Sequence, residues 1–554
     1  MKNWKKRGNE TSIKDVFLRN QGIADLDEAN EWFRKAVGKN YRIDRLSEAC
    51  EMIRSYKDKP ILIVGDYDCD GITSTSILLI MFRMLGYTNV SFRIPKRFSE
   101  GFGINEKIVD EAKEGLIITC DNGIAQIDAV KKAKDKGLDV IIIDHHLPVV
   151  ENGEEILPEA DVIVDPNAIP GSADFSGYCG AGLCYKIAQA MLPDEVCKTL
   201  LPLACLGTIG DVMELTEENY VFVRNGLKYM LMSNICPRGL YSLLTSLSLV
   251  SNVTSTDLAF KVAPAVNAVS RLEDDGASKV IKLLTSNLDV FTLNRQAALM
   301  LKYNEQRKQL KAEGMEKAEE LIRSAGVTVP LVLYIKDCHE GIVGIIAGAL
   351  CEKYKVPAIV LTDTADGLLK GSGRSCGNYD MKARLDDVAS LLSQYGGHTG
   401  AAGLSLPAAN LVSLRKMLIK KAGDFITEDE ETVYYDLEGD AKIIKPCIEQ
   451  LAQYGPYGEG NPEIVFKING FVTAPNKKGQ YLCSFGGGDM NVTKIVSDKK
   501  VGAIGFNLDL PADVSKKLSE GSHKVEIVGT LSNNYFNDSV TPQIQIADIR
   551  CSDD

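Results

Sequence analysis

The sequence predicts an α/β protein of several domains: a lobe built on a parallel sheet, a long connecting helix, a smaller α/β lobe and a C-terminal β-barrel of OB size. Three observations carry this prediction. Short aliphatic runs alternate with amphipathic helical stretches from residue 59 to 165 and again after 327, the pattern of βαβ units whose strands are covered on both faces. A charged amphipathic stretch, residues 289–326, separates the two regions as one long helix. Beyond residue 465, short strands are broken by glycine and asparagine turns, as in "QYLCSFGGGDMN" and "HKVEIVGTLSNNYFND".

Each segment follows in order. At 554 residues the chain suits three or four domains. Residues 1–58 are polar, expected to be helical, and carry no motif. Residues 59–288 hold the first lobe. There "ILIV" (61–64), "LIIT" (116–119), "VIII" (140–143) and "VIV" (162–164) are strands, followed by "GDYDCDG", "CDNG", "DHHLP" and "DPN". Residues 176–290 read as mostly helical. Residues 327–428 form the second lobe, in which "VPLVLYI", "GIVGIIAGALCEKY" and "VPAIVLT" read strand, helix, strand. Residues 429–554 close the chain with the OB-like domain.

Composition narrows the function. With 45% hydrophobic and 25% charged residues the chain has the balance of a soluble globular protein. It shows no apolar run of about 18 residues, so no membrane span is expected. The basic start "MKNWKKRGNE" lacks the apolar region of a secretory signal. Fourteen cysteines are scattered singly with no C-x-x-C, the usage of reduced, buried thiols, so a cytoplasmic setting is expected. A net charge of −12 argues against indiscriminate coating of nucleic acid but leaves room for a local basic channel.

The polar residues sit at the carboxyl ends of the strands, where open α/β sheets place their ligands. Asp66, Asp68 and Asp70 crowd the end of the first strand, Asp121 follows the second, and Asp144, His145 and His146 follow the third. Asp211 in "CLGTIGDVMEL" follows another aliphatic stretch and could join them. Like charges packed this closely cost stability unless cations neutralise them. Carboxylates with a few imidazoles and no thiolate suit Mn²⁺ or Mg²⁺, and this many acids suit two ions, a hydrolase's device at phosphoryl centres. Asp165 in "DPN" reads instead as a turn residue, and Cys69 and Cys120 as packing. In the second lobe, "KGSGRS" offers Ser372 and Arg374, and "YGGHTGAAG" offers His398, all beside glycines that let backbone approach a phosphate.

In order and spacing, "VGDYDCDGITST", "CDNG", "IDHH" and "GTIGDVMEL" resemble the four motifs of the DHH phosphoesterase superfamily. "YGGHTGAAG" resembles the motif of its DHHA1 domain. "IPKRFSEGFG", "NAVSRL", "CHEGIVGIIAG", "GSGRS" and "GPYGEGNP" resemble the RecJ family, single-strand-specific 5′→3′ exonucleases. The resemblance implies that Asp68, Asp70, Asp121, His145 and Asp211 ligate metal, with Asp66 a further ligand or a supporting acid. It places His146 and His398 beside the scissile phosphate, and Arg97, Arg271, Ser372 and Arg374 around a terminal 5′ phosphate. One departure stands out: in "APAVNAVSRL", Ala265 occupies the position of an expected arginine and Ser270 that of a common glycine, while Asn267 and Arg271 keep the substrate-binding pattern. The family further implies single-stranded DNA as substrate, and a single-strand-binding protein and a RecQ-type helicase as partners. Phe98, Phe102 and Tyr457 are candidates to stack bases, with simple packing beside glycines the alternative for each. Its rivals are a short-oligonucleotide or cyclic-dinucleotide phosphodiesterase of the same superfamily and a non-catalytic replication scaffold.

Overall fold

The computed structural model describes residues 2–23, 28, 41–151, 153–364, 367–423, 425–426, 432–487, 490–497, 501–508, 510, 512–536 and 539–552. The first lobe is organised by strand β1 (Ile61–Val64), helix α1 (Cys69–Met84) and strands β2 (Val90–Arg93), β3 (Leu116–Cys120), β4 (Asp139–Ile143) and β5 (Val162–Val164). The five strands form one parallel sheet in the order β2–β1–β3–β4–β5. Alternate residues of each strand feed two separate cores. Ile63, Ile118 and Ile141 pack on the face covered by α1, α2 (Gly180–Met191) and α3 (Leu201–Gly210), whereas Val64, Ile117 and Val140 pack on the other. Burial on both faces is why the strands read as unbroken aliphatic runs.

Helix α4 (Ala263–Leu272) leads toward the cleft, and α5 (Val290–Ala325) crosses to the second lobe. Asp289 caps the start of α5 through the N–H of Thr292, and Gly326, at φ 80°, ends it. Its 36 residues span about 54 Å at the helical rise. The second lobe contains β6 (Leu331–Tyr334), α6 (Val343–Tyr354), β7 (Ala358–Asp363), β8 (Leu368–Arg374), β9 (Gln394–His398) and β10 (Ala401–Pro407). Its sheet runs β9–β10–β8–β7–β6, parallel between β6 and β7 across α6 and antiparallel elsewhere.

The C-terminal domain is a closed barrel. Strands β11 (Val465–Ala474), β15 (Lys524–Phe536), β16 (Ser539–Cys551), β14 (Gly502–Phe506) and β13 (Met490–Ser497) pair in that cyclic order, and β13 returns to β11 at Thr473–Ser497. Strand β12 (Leu482–Gly487) extends β13 as a hairpin. A parallel β14–β16 pairing requires a crossover, supplied by the helix Ala512–Glu520.

The opening segment departs from the helical expectation. Asn3–Lys6 is a strand paired in parallel with Thr432–Tyr435, and only Ile13–Asn20 beyond it is a helix before residue 24. Ile13 and Val16 enter the barrel core, Trp4 Nε1 donates to Asp548 Oδ2 at 2.6 Å, and Arg7 and Arg19 both bridge the buried Asp436 at 3.1 and 2.7 Å. The segment therefore packs on the C-terminal domain, 429 residues away along the chain at its first pair. Among the described residues, no helix is long and apolar enough to cross a membrane.

Candidate active site

The site is assembled where β1, β3 and β4 end. Asp68 caps α1, its Oδ1 accepting from the N–H groups of Asp70 and Gly71 at 3.0 and 3.1 Å. Asp70, in the first turn, lies across the start of α2, accepting from Gly180 N at 2.7 Å and Ala181 N at 2.9 Å. Two free helix-terminal N–H groups thus hold one carboxylate in place. Such closeness excludes side chains: a Cβ on Gly180 would sit 2.8 Å from Asp121 Cβ, and one on Gly71 would sit 2.6 Å from the Asp66 backbone.

Asp121 follows β3 in a left-handed conformation, φ 62°, uncommon for a residue with a side chain. Asp211 ends α3. His145 joins them: its Nε2 lies 3.1 Å from Asp121 Oδ1, 3.6 Å from Asp211 Oδ2 and 3.8 Å from Asp70 Oδ2. Ligand atoms of Asp70, His145 and Asp211 lie within 4.8 Å of one another, as do those of Asp66, Asp68 and Asp121. Burial, then the charge of Asp70, pushes the Asp121 carboxyl well above its usual range, and burial, then Asp68, does the same to Asp66. Asp211 rises to about 8 for the same reasons, burial and then Asp70. Burial lowers His145, leaving a neutral imidazole with a lone pair to give. Asp66 Oδ1 is buried without a hydrogen-bond partner among the described residues. Acids that resist ionising together, an orphaned carboxylate oxygen and a neutral imidazole are the donor set of a pair of hard divalent cations, so these residues fit Mn²⁺ or Mg²⁺.

Asp144 serves the site differently from the other acids. Its Oδ1 accepts from His145 N, His146 N and His146 Nδ1 at 2.8, 3.3 and 2.7 Å, and its Oδ2 accepts from Ile124 N at 3.0 Å. Burial acts to lower His146, yet the Asp144 hydrogen bond outweighs it and His146 is pushed up to about 9. Asp165 is the turn residue expected, its Oδ1 accepting from Asn167 N and Ala168 N at 2.9 and 3.1 Å. Cys69 and Cys120 are buried, against Leu206 O and Thr75 Oγ1 respectively, as packing residues.

Beside the acids lies a cationic pocket between the lobes. Arg271, at the end of α4, is lowered to about 9 by burial and then by Arg97, with Arg307 and Arg374 adding to the repulsion. Arg97 stacks 4.4 Å over the ring of Tyr67. Arg374 donates from Nη1 to Ser372 Oγ at 2.7 Å and Gly373 O at 2.8 Å, and its Nη2 faces Gly344 in the first turn of α6. None of the four guanidiniums forms an ion pair among the described residues. Asn267, one turn before Arg271, has a buried Oδ1 without a partner. The structure thus brings together Arg97, Asn267, Arg271, Ser372 and Arg374, and adds Arg307 from the connecting helix. Ala265 is fully buried, and Ser270 Oγ donates to Asn267 O.

The other expected contacts are placed as follows. His398 is exposed, its Nδ1 accepting from Gly400 N at 3.2 Å, with no hydrogen bond to the acid cluster among the described residues. Phe102 is half exposed and sits edge-on to His146 and Tyr67, open to a base, and Phe98 stands edge-on to His339 of the second lobe. Tyr457 is no stacking platform: its hydroxyl donates to Leu451 O and its ring packs on the barrel core.

Comparison with known proteins agrees with this arrangement. Models of the DHH family N-terminal domain, the DHHA1 domain and the RecJ OB domain match residues 60–208, 329–424 and 435–548. The single-stranded-DNA-specific exonuclease RecJ of Bacillus subtilis is 32% identical over 562 residues, covering 99% of this chain and 67% of its own. The RecJ of Escherichia coli is 31% identical, covering 73% of this chain and 74% of its own. The crystal structure of RecJ in complex with Mn²⁺ from Thermus thermophilus superposes with a TM-score of 0.75 at 24% identity, covering all of this chain and 80% of that one, which shows the fold.

Proposed function

Because the chain belongs to the RecJ family of single-stranded-DNA-specific exonucleases, we propose that it hydrolyses single-stranded DNA from the 5′ end, releasing 5′ mononucleotides in DNA repair and recombination. The juxtaposition of two opposite charge clusters in one cleft supports this most. Acids that need cations adjoin arginines that lack anions, close enough that Asp68 and Arg271 feel each other's charge.

Held by Asp66, Asp68, Asp70, Asp121, His145 and Asp211, two Mn²⁺ or Mg²⁺ ions would supply Lewis-acid stabilisation at a phosphoryl centre. His146, oriented by its Nδ1 contact with Asp144 Oδ1, presents its other ring nitrogen to the same phosphate. Arg97, Arg271, Arg374 and Ser372 grip the terminal phosphate, and Asn267 offers its amide beside them. That grip lies beside the acids, so the strand is engaged at its end. Phe102 receives a base by stacking, which reads no sequence. His398 joins the scissile phosphate from the second lobe by family resemblance. A short-oligonucleotide or cyclic-dinucleotide phosphodiesterase has no need of the closed barrel, and a non-catalytic scaffold has no reason to retain every acid. The reading extends to a single-strand-binding protein and a RecQ-type helicase as partners, by family resemblance. A cytoplasmic setting is supported by fourteen free cysteines.

The test is purified protein with Mn²⁺ on end-labelled single strands blocked at one end or the other. Mononucleotides should appear from the 5′ end only. Degradation from the 3′ end, or equal attack on duplex, would overturn the reading.

A further inference from the structure

The loop of residues 455–461 carries the "GPYGEG" stretch, belongs to the C-terminal domain and carries none of the acids, yet it reaches the segment bearing Asp211. Asp211 ends α3; the helix closes through Val212, in the left-handed region at φ 56°, with Val212 N donating to Ile209 O at 3.2 Å and Met213 N to Thr208 O at 3.1 Å, and the chain runs on to Leu215. Leu215 N donates to Glu459 O at 2.7 Å. The contact is tight, since a Cβ on Gly458 would lie 2.9 Å from Leu215 Cδ1, and one on Gly460 would lie 2.9 Å from Glu214 Cβ. The same loop holds the helical run that leads to Asn267 and Arg271, because Ser255 Oγ donates to Tyr457 O at 2.5 Å. Further anchors are Tyr220 Oη to Gly455 O at 3.0 Å and Arg224 Nη1 to Gln453 O at 2.7 Å. The loop's own shape is fixed from within by the buried Asn461, whose Nδ2 donates to Pro456 O at 2.7 Å and Tyr454 O at 3.3 Å.

The short segment after Asp211 is therefore held at both ends, by the closing turn of α3 at Val212 and Met213 and by the barrel domain at Leu215. From this we infer that the 455–461 loop is a positioning element for the metal centre: its docking on Leu215 sets the divalent-ion affinity of the Asp211 site, so the C-terminal domain controls the chemistry as well as extending the strand path. The inference rests on Asp211 being a metal ligand, as proposed above. Partners that orient ligands without touching the ion commonly tune affinity by one to two orders of magnitude. By linkage, a strand that steadies the barrel domain on the first lobe would tighten ion binding in the same measure as the ion tightens the docking.

The test measures Mn²⁺ binding directly, by the electron paramagnetic resonance signal of free Mn²⁺, on full-length wild type, Gly458→Val, Ser255→Ala and Asp211→Asn. Gly458→Val forces the loop off Leu215 and should weaken one class of Mn²⁺ site on the order of tenfold, with Ser255→Ala weakening it less. Circular dichroism and a thermal melt establish folding; if Gly458→Val does not fold, Gly458→Ala is read by the same criterion. A folded Gly458 variant with wild-type Mn²⁺ affinity would overturn the inference. The Asp211→Asn control separates the two layers: wild-type affinity there would remove the ligand assignment itself, whatever the loop variants do.

Discussion

Replacing Arg374 by alanine isolates the recognition of the strand's end. In the structure the guanidinium is steered from Nη1 by Ser372 Oγ and Gly373 O, which leaves Nη2 and Nε to face an incoming phosphate. A charge-assisted contact of this kind is worth about 1.5–3 kcal/mol, or roughly 10- to 150-fold in kcat/KM if it persists in the transition state. Arg97, Arg271 and Arg307 remain around the vacated position, so the loss should fall toward the lower end, about 10- to 30-fold. A terminal monoester carries more charge than an internal diester, so the loss should be confined to strands with a 5′ phosphate. Strands ending in a 5′ hydroxyl never make the contact in full. Four values of kcat/KM decide the matter: wild type and Arg374→Ala, each on otherwise identical strands with and without the 5′ phosphate. The ratio of the two preferences should drop by the stated factor. Because no acid among the described residues pairs with Arg374 and the neighbouring Arg271 repels it, the ligand-free variant should not lose the stability expected of a broken ion pair. An unchanged preference, or an equal fall on both substrates, would refute the assignment of this pocket to the end phosphate.

Asp70→Ala and Asp121→Ala should abolish Mn²⁺-dependent hydrolysis while leaving the fold intact, and the metal-free Asp121 variant should melt at or above the wild-type temperature, since it relieves a buried repulsion; near-normal turnover in either would remove the two-ion reading. Deleting the chain from residue 430 should impair short oligonucleotides as well as long strands, because it strips Glu459 from Leu215 and leaves the Asn3–Lys6 strand unpaired. Selective loss on long strands, compared by gel assay, would show that the barrel adds only binding length. Asp165→Asn should flatten the pH dependence of stability. Burial, then Asp144, raises the Asp165 carboxyl from 3.8 to about 7, so its contribution is full below pH 4 and is lost as pH rises through 7. Urea unfolding should show the variant gaining on wild type by up to ~4 kcal/mol between pH 4 and pH 8, and parallel curves for the two proteins would contradict this.

Most of the acid cluster was legible in the sequence because Asp66, Asp68, Asp70, Asp121 and His145 directly follow unmistakable strands, and strand ends converge in a parallel sheet. Asp211 was less so, because it ends helix α3 and only the packing of that helix brings it to the others. Arg307 was not legible. A lone arginine within "NEQRKQLK" looks like any solvated helical residue, and only the crossing of the connecting helix behind Arg271 gives it a role. The pairing of Asn3–Lys6 with Thr432–Tyr435 was hidden by its separation along the chain, which no local periodicity reports. Tyr457 misled because an aromatic among glycines looks the same whether it faces a base or a core. The fold decides by giving its hydroxyl to Leu451 O. The support for Asp70 from the start of α2 was invisible for a related reason: Gly180 and Ala181 carry no functional group, and what they contribute is backbone.

The two clusters also explain one another. An acidic patch alone would hold cations and repel a polyanion, and an arginine pocket alone would hold any phosphate. The net charge of −12 repels a strand overall, whereas the guanidiniums of Arg97, Arg271, Arg307 and Arg374, which form no ion pair among the described residues, offer it a local attraction. A strand's end can satisfy both demands at once, its terminal phosphate among the arginines and the next phosphate facing cations held by the acids. An interior segment could supply the second contact but lacks the extra charge for the first. End preference then follows from electrostatics, and it needs no wall to exclude the interior of the strand.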